Sequence, residues 1–279
     1  EIQMKNSWRY RVSAEIYKQL KNYQYPYMSF YIYNKQNIDF TDRPLINSYS
    51  FNGPSSLFNG MINPLIPYTT KGVIWYQGEN NAFRHENYER LFSSLILDWR
   101  KKWKNDFPFY YVQIAPYFNY YNSNASLREA QRKVLKTPRT GMAVTLDIGE
   151  NYDIHPSNKH DIGYRLARYA LKNDYNIDLI QSGPVFKNFS VHQDIIKVFF
   201  DYIGKGLVLD ESDLSEFEIA GANKLYFRAN VVNQNNHLEV FSEQVPNPKY
   251  VRYAWSDTSS ASLYNSEGLP ASSFITENE

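Results

Sequence analysis

The chain has 279 residues and a formal net charge of +1, with 30 Lys and Arg spread among 29 Asp and Glu, so no basic field marks nucleic acid as its partner. Hydrophobic residues make up 43% and charged residues 21%, which excludes general disorder and predicts a folded chain with a main domain and a smaller one. Cysteine is absent, which excludes disulfides and thiolate-bound metals, and no apolar run reaches the ~18 residues of a membrane helix.

The opening EIQMKNSWRY has no initiator Met and no signal-peptide shape, and it reads as the interior of a longer protein. Next, RVSAEIYKQL has helical spacing, and the Tyr- and Asn-rich stretch 22–53 reads as loop or partial strand. Regularity begins with GVIWYQG, an apolar, β-rich run closed by Gly78, which predicts a buried parallel strand over 72–77. Tyr88, Leu91, Phe92, Leu95, Trp99 and Trp103 then recur at helical spacing and predict an amphipathic helix over 86–103.

The same scheme returns twice. FPFYYVQIAP reads as a strand and SLREAQRKVL as the helix after it, ended by TP. GMAVTLDIG reads as a third strand, followed by a helix that Ser157 or Asn158 caps and whose Ile162, Leu166, Tyr169 and Ala170 face the core. Three strand-helix pairs in series predict an α/β fold, a parallel sheet covered by helices, over residues 1–178. From 179 to 279, short alternating runs such as IIKVFFDYI, FEIAG, LEVFS and YVRYAW predict a small antiparallel β domain.

Ligands of open parallel sheets bind at the carboxyl ends of the strands, where WYQGENN and DIGENYDIHPSNK fall. In the first, Gln77, Gly78, Glu79, Asn80 and Asn81 form a turn in which glycine lets a main-chain N–H face a cleft, as an oxyanion hole needs; a polar strand-to-helix turn accounts for the same residues. In the second, Asp153 stands two residues before His155, so a carboxylate can hold one imidazole nitrogen and leave the other as base. His85, His160, His192 and His237 are assigned to ordinary loop positions. The same acidic loop offers Asp147, Glu150, Asp153 and His155 as an alternative divalent-cation site, although their spacing imposes no ligand set. No metal or cofactor is expected.

Taken in order, LFNGMINPLIPYTTKGVIWYQGENN, FSSLILDWRKKW, LREAQRKVL, TGMAVTLDIGE, DIHPSNKHDIGYRLA and VRYAW resemble the sialate O-acetylesterase family of the SGNH-hydrolase superfamily, from about residue 56 to about residue 275. The resemblance implies a flavodoxin-like SGNH sheet with helices on both faces, incomplete at its N-terminus, in which a serine attacks an acetyl ester on sialic acid or another acetylated glycan. It implies His155 as general base and then acid, Asp153 as its orienting carboxylate, and Gln77 with Gly78 as oxyanion or substrate-positioning groups, with Glu79 and Asn81 beside them. It also implies a periplasmic or extracellular location.

Two features depart from the family pattern, and the Asp-to-His interval departs from SGNH hydrolases in general. Asn80 stands where the family usually has Ser. The Asp-to-His interval is two rather than three, which keeps Asp147 as an alternative orienter. The Gly-Gln-Ser-Asn block carrying the nucleophile is not among these residues, and Ser55 and Ser56 in NGPSSLFNG do not match it. The nucleophile is therefore expected from a missing N-terminal part of the same protein, and the chain alone is expected to be inactive or weakly active. A noncatalytic glycan-binding protein is the alternative, with a metal-dependent hydrolase behind it.

Overall fold

The computed structural model describes residues 55–211 and 214–277, together with two earlier strands. Those strands, β1 (Glu15–Ile16) and β2 (Phe30–Tyr31), pair antiparallel. The helical spacing read in RVSAEIYKQL therefore fails at Glu15 and Ile16, which form a strand. The rest of that reading, and that of 22–53 apart from Phe30–Tyr31, lies outside the described residues. The chain divides into two compact units, Glu1–Thr69 and Thr70–Glu279. In the first, a helical run over Phe58–Ile62 passes into a 3₁₀ turn at Asn63–Leu65, opened by Pro64.

The second unit begins with a three-stranded parallel sheet of β3 (Val73–Trp75), β4 (Phe109–Val112) and β5 (Thr140–Ala143), with β4 central. Helices α1 (Tyr88–Trp103), α2 (Asn124–Lys133) and α3 (Lys159–Asn173) follow the three strands in turn. All four residues of β4 are buried because both faces of the sheet are covered. Phe109 and Tyr111 pack into a cluster with Phe92 and Ile96 of α1 and Leu127 of α2. Tyr110 and Val112 point the other way, onto Ile162, Leu166 and Tyr169 of α3. Each fully buried apolar side chain of this kind contributes roughly 2–3 kcal/mol before ordering costs.

The helix ends follow the sequence. α1 stops at Lys104, which takes a left-handed conformation at φ 52°. Asn158 caps α3, its side-chain oxygen accepting the Asp161 N–H at 3.1 Å while its Nδ2 donates to Asp161 Oδ2 at 2.8 Å. Before α1, however, Glu79–Asn87 forms a 3₁₀ segment, where the sequence predicts a turn to Asn81 and a helix only from residue 86.

The remaining strands are β6 (Val185–His192), β7 (Ile195–Asp201), β8 (Leu207–Leu209), β9 (Phe217–Ala220), β10 (Tyr226–Arg228), β11 (Asn230–Asn233), β12 (His237–Phe241), β13 (Tyr250–Tyr253), β14 (Leu263–Asn265) and β15 (Phe274–Ile275). They pair antiparallel in two sheets, ordered β10-β9-β13-β15 and β11-β12-β7-β6, with β14-β8 as a separate pair. Alternate residues are buried, Ile196, Val198 and Phe200 on β7 and Leu238 and Val240 on β12, as a sheet covered on one face requires. An α/β sheet followed by an antiparallel region is the architecture the sequence predicts.

One apolar core runs through both regions, from Phe92 and Phe109 to Tyr253 and Phe274. Polar bonds reinforce the join. Arg128 of α2 is fully buried and donates from Nη2 to the main-chain carbonyls of Ala254 and Ser256. Asp257 Oδ1 accepts the Asn124 N–H at 2.8 Å, placing a carboxylate of the β region at the N-terminus of α2. No helix among the described residues is long and apolar enough to cross a membrane.

Candidate active site

The turn after β3 is held from three directions. Tyr88 of α1 donates its hydroxyl to the Gln77 main-chain carbonyl at 3.0 Å and to Gln77 Oε1 at 3.2 Å. The Gln77 side chain donates from Nε2 to Asn81 Oδ1 at 2.7 Å, and the Asn81 N–H donates to the Gly78 carbonyl at 2.7 Å. Gln131 of α2 donates to the Gln77 carbonyl at 3.3 Å. Gly78 is required here by space: a Cβ would lie 2.9 Å from both Gln131 Nε2 and Ile114 Cγ2.

Glu79 opens the 3₁₀ segment. Burial first, and the Glu79 carboxylate second, push the Tyr76 hydroxyl up to about 12. Tyr88 is likewise pushed up to about 12, chiefly by burial. Both phenols therefore remain neutral, and Tyr88 stays a donor to Gln77, at any physiological pH.

The loop after β5 carries His155 and is exposed. Asp153, expected at the imidazole, has Oδ1 on the His155 main-chain N–H at 2.7 Å. Glu150 accepts both the N–H and the hydroxyl of Ser157 at 2.7 Å each, and these two donors hold its carboxyl below the usual range. Asp147 is committed elsewhere: Arg165 Nη1 and Nη2 reach its two oxygens at 2.6 and 2.5 Å, and Nη1 also donates to the Val144 carbonyl at 2.6 Å. Arg165 thus pins the end of β5 to α3. Among the described residues no three His, Asp or Glu side chains gather as a metal site.

Both loops leave the same edge of the sheet, because β3 and β5 run parallel on either side of β4. One contact reaches from the β3 end toward the β5 end, and two more tie the loop after β4 to the loop after β5. The Lys159 ammonium lies 4.9 Å from the Tyr76 ring centroid, joining residues next to Gln77 and four beyond His155. The Phe118 N–H, in the loop after β4, donates to the Asn151 carbonyl at 2.7 Å. Gly149 lies so close to Pro116 that a Cβ would meet its Cδ at 2.5 Å.

Gln131, Tyr88 and Lys159 organise this edge, yet none stood out in the sequence. Gln131 and Tyr88 lie on helix faces that read as ordinary amphipathic positions. The available signal was LREAQR itself, whose polar residues Arg128 and Gln131 occupy the core-facing period of a well-formed helix.

Residues 46–172 match the profile of a family described as "Carbohydrate esterase, sialic acid-specific acetylesterase". Mouse sialate O-acetylesterase is 28% identical over 84% of this chain and 50% of its own length, and the rat protein 30% identical over 60% of this chain and 35% of its own. The chain thus spans half or less of the length of these curated relatives. Among solved structures, a carbohydrate acetylesterase from Xanthomonas citri superposes with a TM-score of 0.76 at 37% identity, covering 84% of this chain and 57% of that one. Residues 46–172 thus carry a region similar to the sialic acid-specific acetylesterases among the carbohydrate esterases, and the relatives and the shared fold support the same family.

Proposed function

We propose that this chain supplies the base and the oxyanion turn of a serine-type O-acetylesterase that removes acetyl groups from sialic acid or another acetylated glycan outside the cytoplasm. What supports this reading is that the Gln77 turn and the His155 loop leave the same edge of one parallel sheet, with Lys159 of α3 lying over Tyr76. The attacking serine comes from a segment of the same protein beyond these 279 residues, since no family-type serine block occurs within them.

In the acylation step the serine oxygen bonds to the acetyl carbonyl carbon while its proton passes to the His155 imidazole. Negative charge develops on the carbonyl oxygen, where the Gly78 N–H and the second Gln77 amide proton receive it. Asp153, which already fixes the His155 main chain, is the carboxylate nearest in sequence to orient the ring. Collapse of the tetrahedral intermediate breaks the bond to the sugar oxygen, and the imidazolium returns its proton to that oxygen. Water, deprotonated by the same imidazole, then attacks the acetyl-serine, releasing acetate and restoring the serine.

The test uses the full-length protein and an O-acetylated sialic acid, with free acetate and deacetylated sugar both quantified. Equimolar release, abolished by a serine-directed phosphonate and unaffected by a chelator, is the expected result. Sugar binding without acetate release would favour the noncatalytic glycan-binding alternative.

A further inference from the structure

The loop from Gln113 to Ser123, between β4 and α2, sets three large rings in water: Phe118 is 66% exposed, Tyr120 89% and Tyr121 65%. Phe83, from the segment that follows Gly78, joins them, its ring centroid 5.8 Å from that of Tyr121, which in turn lies 5.8 Å from Tyr120. Rings this exposed on a slack loop would fold back onto the protein. This loop is instead fixed. Asn124, fully buried, donates from Nδ2 to the Tyr117 carbonyl at 2.9 Å and accepts at Oδ1 from Asn119 Nδ2 at 2.9 Å. Asn119 Oδ1 accepts the Tyr121 N–H at 3.1 Å, and the Tyr117 N–H donates to the Asp257 carbonyl at 3.1 Å.

We propose that Phe83, Tyr120 and Tyr121 form a preorganised platform on which a second sugar ring of an oligosaccharide stacks, beside the pocket that receives the acetylated one. This rests on the esterase reading above and narrows its substrate from a free acetylated monosaccharide to a chain of sugars. A sugar ring is the matching occupant for three reasons. Its C–H faces pack on flat aromatic surfaces, and its hydroxyls pair with phenol oxygens. The polar groups beside the rings are the neutral Asn119 and Asn122, which pair with hydroxyl groups, and the Arg84 guanidinium, 4.6 Å from the Phe83 ring centroid, which suits the carboxylate of an acidic sugar. The rings also adjoin both candidate loops, through Phe83, which lies in the segment following Gly78, and through the Phe118 to Asn151 bond. Preformed rings lose little freedom on binding, which favours affinity.

The experiment is calorimetric titration of the full-length protein with sialyllactose, a trisaccharide, and with free N-acetylneuraminic acid. Neither ligand carries an ester, so the outcome does not depend on catalysis. Tyr121→Ala is expected to raise the Kd for the trisaccharide roughly tenfold relative to that for the monosaccharide, with Tyr121→Phe restoring most of it. An unchanged ratio of the two constants in Tyr121→Ala would overturn the proposal, as would self-association of the wild type that Tyr121→Ala abolishes, since the rings would then serve a protein contact. Failure of the esterase reading shows separately, as absence of acetate release from acetylated sugar by a protein that still distinguishes the two ligands.

Discussion

Gln131 Nε2 lies 3.3 Å from the Gln77 carbonyl oxygen, so one fully buried carboxamide joins helix α2 to the turn that ends β3. The same nitrogen lies 3.3 Å from the Val112 carbonyl, and Oε1 accepts the Ile114 N–H at 2.9 Å. Ends of two neighbouring strands are thereby fixed by a single side chain.

Gln131→Leu removes all three bonds and leaves the Ile114 N–H buried without an acceptor. A stability loss of about 1–3 kcal/mol is expected for that group. In the full-length enzyme kcat should fall more than KM rises, because the turn is displaced while the sugar contacts persist. Urea unfolding and steady-state kinetics check the two parts.

Gly78→Ala adds a carbon where 2.9 Å separates it from Gln131 Nε2 and Ile114 Cγ2. The turn must shift, at a cost of about 1–3 kcal/mol. Acetyl hydrolysis should drop at least tenfold, with circular dichroism unchanged.

The regular part of the fold was legible because its periods are strong. Tyr88 and Phe92 of the period read in α1 lie buried, although Leu91 is 50% exposed and the buried stripe runs on through Ile96 and Arg100, and β4 reads as a continuous apolar run because both its faces are covered. The 3₁₀ segment Glu79–Asn87 was not legible, since ENNAFRHEN has no apolar period. At the site, Gly78 and His155 stood out by their residue types and neighbours. Arg128, Gln131 and Asp257 did not, because what they do depends on partners more than a hundred residues away, as with Asn124 and Asp257, or on burial that a polar side chain does not announce.

Burial raises the Asp257 carboxyl above its usual pKa, with the Asn124 N–H and Arg128 pulling the other way. A raised folded-state pKa means that the native protein holds this proton more tightly than the unfolded chain. Its contribution favours folding below the usual carboxylate range and is lost as pH rises through the folded value. Asp257→Asn keeps an acceptor for Asn124 and does not titrate. Relative to wild type, it should gain stability as pH rises above the ordinary carboxylate range, measured by denaturant unfolding at each pH.

Ser157 holds the Glu150 carboxyl low through its N–H and its hydroxyl. Ser157→Ala leaves only the N–H, so the Glu150 pKa should move back up toward the ordinary range. Carbon-detected NMR titration of Glu150 checks the direction, and broadened His155 resonances would report the loosened loop.

The claim that the Gln77 turn and the His155 loop act on one acetyl group is tested most directly by kcat for deacetylation in the full-length enzyme. His155→Ala should lower it by roughly three orders of magnitude and Gln77→Ala by about two, with KM changing little in either. Wild-type kcat in either variant would contradict a shared pocket.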